Sequence, residues 1–342
     1  METFRFFHIS DLHFSKKYES WRNAFSCVDM DVKSRSLSFL FSGAKTIYPS
    51  TYIKDAAISA YEYIRLRSDQ ADAVVVTGDL ATTGANDDLS TALNYFKGVE
   101  GVVWNPKSRS VGSLIDSELH IIMMPGNHDR YCSGPNWLAP GNKSYENHFE
   151  PNWSLSSQQN ELRVHLVGAL GLIKRIEFNK NNESALLYCI DFSLRKKGDC
   201  EDNKIKGFFG QGFAYQDILE ELKKDIAAPE HKGKLIIWAI HFSPNSEDEL
   251  LKLYNADEMM QVASELNVSM ILCGHVHDQK SYQININGKN IRVFCAGTVC
   301  SVETDGDGNS FWDIEFDVKD GEIITLREQE LKFDQDLGFL NN

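Results

Sequence analysis

Long hydrophobic runs are absent from this sequence, and none approaches the roughly 18 apolar residues that a membrane-spanning helix needs. The first residues also lack a basic region followed by a long apolar one, so no secretory signal is expected. The seven cysteines are scattered without CxxC spacing, which indicates neither a zinc ribbon nor a disulfide framework. We therefore expect no membrane contact and a reducing, cytoplasmic compartment.

Basic residues are scarce as well, with 35 Lys and Arg against 49 Asp and Glu and a formal charge of −14. This balance argues against a broad basic face for duplex nucleic acid. It leaves a nuclease open, because acidic metal ligands count toward the net charge until ions are bound. The 342 residues are interpreted as one domain over residues 1–330, with substrate-capping insertions at about 14–50 and 133–151 and a C-terminal tail at 331–342.

The sequence does contain five short apolar runs that each end in a polar cluster. The clusters are Asp11-Leu12-His13, Gly78-Asp79, Gly126-Asn127-His128-Asp129, His241 and Gly274-His275-Val276-His277. Taken alone, each has an ordinary structural interpretation, such as a helix cap for Asp11 or a structural histidine at His241. Ligands in open α/β sheets gather just beyond the carboxyl ends of strands, so five such clusters in one chain favour a functional site.

The spacing of apolar residues predicts an α/β protein. Runs such as Ala73–Val76 are continuous and β-branched, which is typical of strands buried on both faces. Helical periodicity spans Tyr52–Arg67, Tyr215–Ile226 and Glu247–Leu266. Alternating polar and apolar residues from 282 to 327 predict an antiparallel meander at the chain end.

The polar clusters together supply a mixed set of oxygen and nitrogen donors. Its members are Asp11, His13, Asp79, Asn127, His128, His241, His275 and His277. Such donors suit Mn, and also Fe or Zn, while the absence of thiolates disfavours a structural zinc site. The set is too large for one ion and suits two. Asp-x-His and His-x-His on extended backbone would each point two side chains the same way.

These motifs, in this order, resemble the calcineurin-like metallophosphoesterases over about residues 4–298. The resemblance implies two mixed β-sheets packed face to face as a sandwich flanked by helices. It implies that Asp11, His13 and His277 hold one divalent ion, that Asp79 bridges, and that Asn127, His241 and His275 complete the second position. It also implies that His128 acts beside the phosphate, with Asp129 orienting its imidazole; the alternative for Asp129 is a helix-capping or supporting carboxylate.

Three functional hypotheses follow. The first is a phosphodiesterase in which a metal-bridging hydroxide attacks, assisted by His128. Its substrate would be small, because Gly78-Asp79-Leu80 and Gly274-His275-Val276-His277 look most like the cyclic-nucleotide branch. The second is a DNA or RNA nuclease resembling repair exonucleases. The third, a catalytically silent binding module, predicts a broken ligand set, whereas this set is complete.

Overall fold

The computed structural model describes residues 1–15, 52–82, 84, 86–99, 113–130, 144–149, 153–155, 163–194, 211–248, 251–302, 304 and 308–339. The strands in these ranges are β1 (Glu2–Ile9), β2 (Ala73–Val76), β3 (His120–Met123), β4 (Ser154–Leu155), β5 (Val164–Val167), β6 (Ile173–Lys180), β7 (Glu183–Ile190), β8 (Gly212–Phe213), β9 (Leu235–Ile240), β10 (Leu253–Tyr254), β11 (Val268–Cys273), β12 (Lys280–Ile286), β13 (Lys289–Cys295), β14 (Ser310–Lys319) and β15 (Glu322–Lys332). The α-helices are α1 (Lys54–Leu66), α2 (Asn86–Phe96), α3 (Ser144–His148), α4 (Gln216–Ile226) and α5 (Ala256–Glu265), and 3-10 turns span His128–Arg130 and Pro229–His231.

The first sheet has the strand order β15-β14-β1-β2-β3-β4. Its centre is parallel, because β2 pairs in parallel with both β1 and β3. Helix α1 packs on this sheet, and the ring of Tyr63 meets Phe7 of β1 edge-on at 5.9 Å. All four residues of β2 are buried, as expected of a continuous apolar strand covered on both faces.

The second sheet has the order β12-β13-β11-β9-β7-β6-β5, with β7, β9, β11 and β13 parallel to one another. Helices α4 and α5 supply Ile218, Leu222 and Met259 to an apolar cluster that includes Trp238 of β9. None of the described helices combines the length and apolar character needed to cross a bilayer.

The two sheets pack against each other through a large apolar core. Phe6 of the first sheet lies 5.2 Å from Phe178 of the second and 5.3 Å from Phe316, measured between ring centroids. The predicted α/β architecture of two mixed sheets with helices outside is therefore confirmed. It brings the carboxyl ends of parallel strands from both sheets toward one edge.

Two sequence predictions need correction, and one strand was missed. Strand β6 was not predicted, because its charged residues find partners only in the folded chain: Arg175 pairs with Asp225 and Glu177 with Lys234. The helix expected at Glu247–Leu266 begins only at Ala256, after β10 pairs with β8. The terminal meander is instead two hairpins in different sheets, since β12 and β13 join the second sheet while β14 and β15 join the first.

Most residues of the predicted insertions at 14–50 and 133–151 lie outside the described residues, so their capping role stays a prediction. Residues 331–339 of the predicted tail are described. Leu331 and Phe339 are fully buried there, and the Phe339 ring lies 4.9 Å from that of Phe311.

Candidate metal centre

Asp11, His13 and His277 form the first of three groups that could hold a cation, with ligand atoms all within 4.8 Å of one another. The Nε2 atoms of His13 and His277 are 3.1 Å apart, and Nε2 of His277 lies 3.3 Å from Oδ1 of Asp11. That buried Oδ1 accepts no hydrogen bond in good geometry from any described residue. A buried carboxylate oxygen left without a donor beside two converging imidazoles fits a cation.

Asp79, His241 and His275 form a second group on the same criterion. Nε2 of His241 lies 3.3 Å from Oδ2 of Asp79 and 2.9 Å from Oδ1 of Asn127, so Asn127 joins this group. Nδ1 of His241 donates to the Thr77 carbonyl at 2.7 Å. This hydrogen bond fixes the ring and directs Nε2 at the cluster, as is usual for metal-ligating histidines.

His13, Asp79 and His128 form a third group that connects the other two. Oδ2 of Asp79 lies 3.9 Å from Nε2 of both His13 and His128. Oδ1 of Asp79 accepts the backbone N–H of His128 at 2.8 Å. Asp79 therefore stands between the two candidate positions, where a bridging carboxylate would have to be.

The backbone of this cluster is left-handed at five non-glycine positions. These are Asp11 (φ 54°), His13 (φ 50°), Asp79 (φ 49°), His275 (φ 74°) and His277 (φ 55°). The expectation that Asp-x-His and His-x-His act through extended backbone is thus wrong. Left-handed residues other than glycine cost about 1 kcal/mol or more each and concentrate at functional sites.

Two glycines let the motif loops approach one another. A Cβ on Gly126 would collide with Oδ1 of Asp79, and a Cβ on Gly274 would collide with Oγ of Ser10. The Gly-Asn-His and Gly-His-x-His patterns therefore need glycine for close packing of loops from different strands.

The electrostatics of the cluster suit a cation. Burial raises the pKa of Asp79, but the nearby His241 and His128 outweigh burial and hold it below its ordinary value. Burial lowers the pKa of His241, but the Asp79 carboxylate outweighs burial and raises this pKa to about 9. Burial followed by the charge of His241 lowers the pKa of His275 to about 3. A divalent ion would displace the proton from His241 and bind neutral His275 directly.

The hydrogen bonds of Asp129 differ from those expected of a residue that orients the His128 imidazole. Its two carboxylate oxygens accept backbone N–H groups of Leu80 (3.2 Å), Ala81 (2.9 Å) and Gly126 (2.9 Å). The His128 ring instead donates from Nδ1 to the Thr82 carbonyl at 2.8 Å. These contacts favour the alternative of a supporting carboxylate, which ties the Gly78-Asp79 loop to the Gly126-Asn127 loop.

Several residues at this edge were not singled out from sequence. Thr77 and Thr82 supply the carbonyls that fix His241 and His128. Thr298 donates from Oγ1 to the Asp11 carbonyl at 2.6 Å. Asp191 could have been found, because it comes immediately after the apolar strand β7, much as Asp79 comes three residues after β2.

Solved structures with a similar chain path include proteins from several organisms. GAP50, the anchor in the inner membrane complex of Plasmodium, is 13% identical with a TM-score of 0.47, covering 99% of this chain and 92% of that one. Purple acid phosphatase PPD1 from yellow lupin (Lupinus luteus) seeds is 11% identical with a TM-score of 0.48, covering 96% and 53%. The sulfate thiohydrolase SoxB of Thermus thermophilus is 13% identical with a TM-score of 0.44, covering 96% and 56%.

No curated protein matches the sequence. A family does match, over residues 4–279, which is most of the chain, and it is described as calcineurin-like phosphoesterase. The match contains all nine of the predicted site residues, from Asp11 to His277, and the donor clusters fit the two divalent metals that the family normally binds. The chain therefore belongs to the calcineurin-like phosphoesterase family.

Proposed function

We propose that this chain is a two-metal-dependent phosphodiesterase acting on a small substrate such as a cyclic nucleotide. The observation that carries the proposal is the overlap of the three donor groups. His13 belongs to the first and third groups, and Asp79 belongs to the second and third. Because the groups share these residues, two ions bound there would lie close together. Enzymes of phosphoryl transfer use such a pair of ions to stabilise the attacking and the leaving oxygen.

Asp11, His13 and His277 would hold one ion, and Asn127, His241 and His275 the other, with Asp79 between them. Oxygen and imidazole donors without thiolates favour Mn²⁺, with Fe or Zn as alternatives. When bound, such ions polarise phosphoryl oxygens and make water nucleophilic near neutral pH.

His128 would act on the substrate rather than on a metal. Burial lowers the pKa of its imidazole to about 4, and Nδ1 already donates to the Thr82 carbonyl. Nε2 is therefore the nitrogen that faces Asp79 and the candidate centre. An anionic phosphoryl group beside Nε2 favours the charged imidazolium. In that form Nε2–H would donate to a phosphoryl oxygen or protonate the leaving oxygen.

Charge supports a small substrate over a nucleic acid. The formal charge of −14 gives little long-range attraction for a polyanion. The motifs around Asp79 and His275 resemble the cyclic-nucleotide branch of the family. A cytoplasmic location is in keeping with the free, buried thiols of the described cysteines, namely Cys189, Cys273, Cys295 and Cys300.

A Mn²⁺-supported substrate panel tests the proposal. It compares cyclic nucleotides, single-stranded and duplex DNA, RNA and phosphomonoesters, with Asp79→Asn as the negative control for contaminating activity. We expect the highest kcat/KM on a cyclic nucleotide. Preferred cleavage of DNA or RNA would replace this substrate with the nuclease alternative, and preferred cleavage of monoesters would overturn the phosphodiesterase assignment.

A further inference from the structure

Both candidate ion positions draw ligands from both sheets. The first combines Asp11 and His13, which follow β1, with His277, which follows β11; the second combines Asn127 from the first sheet with His241 from the second. Apolar packing between the sheets is non-directional and sets their spacing better than their lateral offset. A site built across this interface therefore needs directional contacts between the sheets at its edge.

Arg130 provides such a contact directly after the Asn127-His128-Asp129 segment. Its side chain is only 7% exposed, and Nη2 donates to Oδ2 of Asp191 at 2.7 Å. Nη1 and Nη2 also donate to the two carboxylate oxygens of Glu146, at 2.9 and 2.8 Å. Asp191 is fully buried at the end of β7, in the second sheet. One guanidinium thus joins the loop of the first sheet to a strand end of the second.

Asp191 makes a second connection to the same loop through its other oxygen. Oδ1 accepts the backbone N–H of Ser193 at 2.7 Å, and Oγ of Ser193 donates to the Pro125 carbonyl at 3.3 Å. The Pro125 carbonyl lies two residues before Asn127, and Arg130 lies three residues after it. The ligand-bearing loop is therefore held to the second sheet on both sides.

We propose that the Arg130–Asp191 pair is a positioning device that holds the Asn127 amide in reach of His241, and so sets the affinity of one of the two ion positions. The inference rests on the proposed two-metal function. Neither side chain belongs to the three donor groups. Their effect would pass through the backbone of residues 125–130, whose last turn closes with the Arg130 N–H donating to the Asn127 carbonyl at 3.2 Å.

Geometry and burial make this pair sensitive to substitution. The Arg130 guanidinium donates through two nitrogens to Glu146 and through one to Asp191, so its orientation is fixed as well as its distance, which a lysine ammonium would not achieve. Supporting residues behind metal ligands cost roughly 10–100-fold in metal affinity when they are changed. Arg130→Gln, Arg130→Lys and Asp191→Asn should each weaken one ion by about that factor and leave the other unchanged.

The test is a calorimetric Mn²⁺ titration of the metal-stripped full chain, with electron paramagnetic resonance of the loaded protein to detect coupled Mn²⁺ pairs. Neither readout depends on catalysis. Asn127→Ala identifies which binding step belongs to the position next to His241. Arg175→Gln is the matched control, because Arg175 forms another arginine–aspartate pair, partly buried, with Asp225 at 2.6 Å, that contacts none of the donor groups.

We expect Arg130→Gln and Asp191→Asn to weaken the same step as Asn127→Ala and to lose the coupled Mn²⁺ signal at two equivalents. Arg175→Gln should lower Tm while leaving both steps intact. Both steps unchanged in the Arg130 and Asp191 variants, with only Tm lowered, would show an ordinary structural ion pair and overturn the inference. A wild-type chain that binds fewer than two ions would instead overturn the proposed function beneath it.

Discussion

The imidazoles of His13 and His277 bring their Nε2 atoms to 3.1 Å although they follow strands of different sheets. Both residues have left-handed backbone, with φ of 50° and 55°. Two ring nitrogens this close either share a proton or face a common cation. The nearby Asp11 Oδ1, buried and without a well-formed hydrogen bond from the described residues, makes a cation the better explanation.

Metal binding should therefore stabilise the fold. An ion that binds only the native chain adds about 2.7 kcal/mol to the free energy of unfolding at 100 times its dissociation constant. We expect Mn²⁺ to raise the Tm of the metal-stripped chain and His277→Ala to reduce that rise. Thermal unfolding followed by circular dichroism measures both, and a Tm that does not respond to Mn²⁺ would argue against the site.

Asp79→Asn should abolish metal-dependent hydrolysis. The substitution keeps the shape of the side chain but removes the charge that lies between the two groups and 3.3 Å from Nε2 of His241. His275→Ala should have the same effect by removing a donor of the second group. The measurement is Mn²⁺-supported hydrolysis of bis(p-nitrophenyl) phosphate, with Asp225→Asn as an acidic control outside the cluster. Full activity in either variant would contradict the two-metal assignment.

His128→Ala should lower kcat by about 10²–10⁴ while both ions remain bound, because a general acid is lost and no metal ligand is. The matched control is His148→Ala, whose imidazole pairs with Ser90 Oγ at 3.0 Å on the α2–α3 contact. Steady-state kinetics and metal content are measured on the same samples. Stoichiometric loss of an ion in His128→Ala would reassign His128 as a ligand.

His8 should make the fold sensitive to acid. It is fully buried in β1, where burial lowers the pKa of its imidazole to about 3. The unfolded chain binds this proton near pH 6.5, so the contribution to stability is complete above pH 6.5 and is lost as pH falls toward 3. Between pH 7 and pH 5 the loss is about 2 kcal/mol.

Urea unfolding of the metal-stripped chain at pH 7 and pH 5 measures this loss, with His8→Gln as the comparison. The variant should lose about 2 kcal/mol less than the wild type over that interval. Equal losses in the two proteins would show that His8 is not the group responsible.

The sequence located the donor clusters wherever a motif is local. Gly78-Asp79 and Gly274-His275-Val276-His277 could be recognised as donor clusters because each lies just beyond the end of an apolar strand. The left-handed backbone at Asp11 and His13 could not be read in this way, since it depends on how loops from several strands pack together.

Contacts between residues far apart in the sequence could not be predicted either. Asp129 accepts N–H groups of residues 80 and 81, some 49 residues away, so the choice between orienting His128 and tying loops together required the folded chain. Arg130 donates a hydrogen bond to Asp191, which lies 61 residues later in the chain and at a strand end of the other sheet. The same holds for β6, whose Arg175 and Glu177 pair with Asp225 and Lys234 only in the folded chain.

Hydrolysis of phosphodiesters with two metal ions is the activity that we propose for this chain. The most direct measurement is the rate of bis(p-nitrophenyl) phosphate hydrolysis by the metal-stripped chain as Mn²⁺ is added in known equivalents. We expect no activity without metal and a rate that reaches its maximum when two ions are bound per chain. Two bound ions with no hydrolysis, or full activity in the presence of a strong chelator, would contradict it.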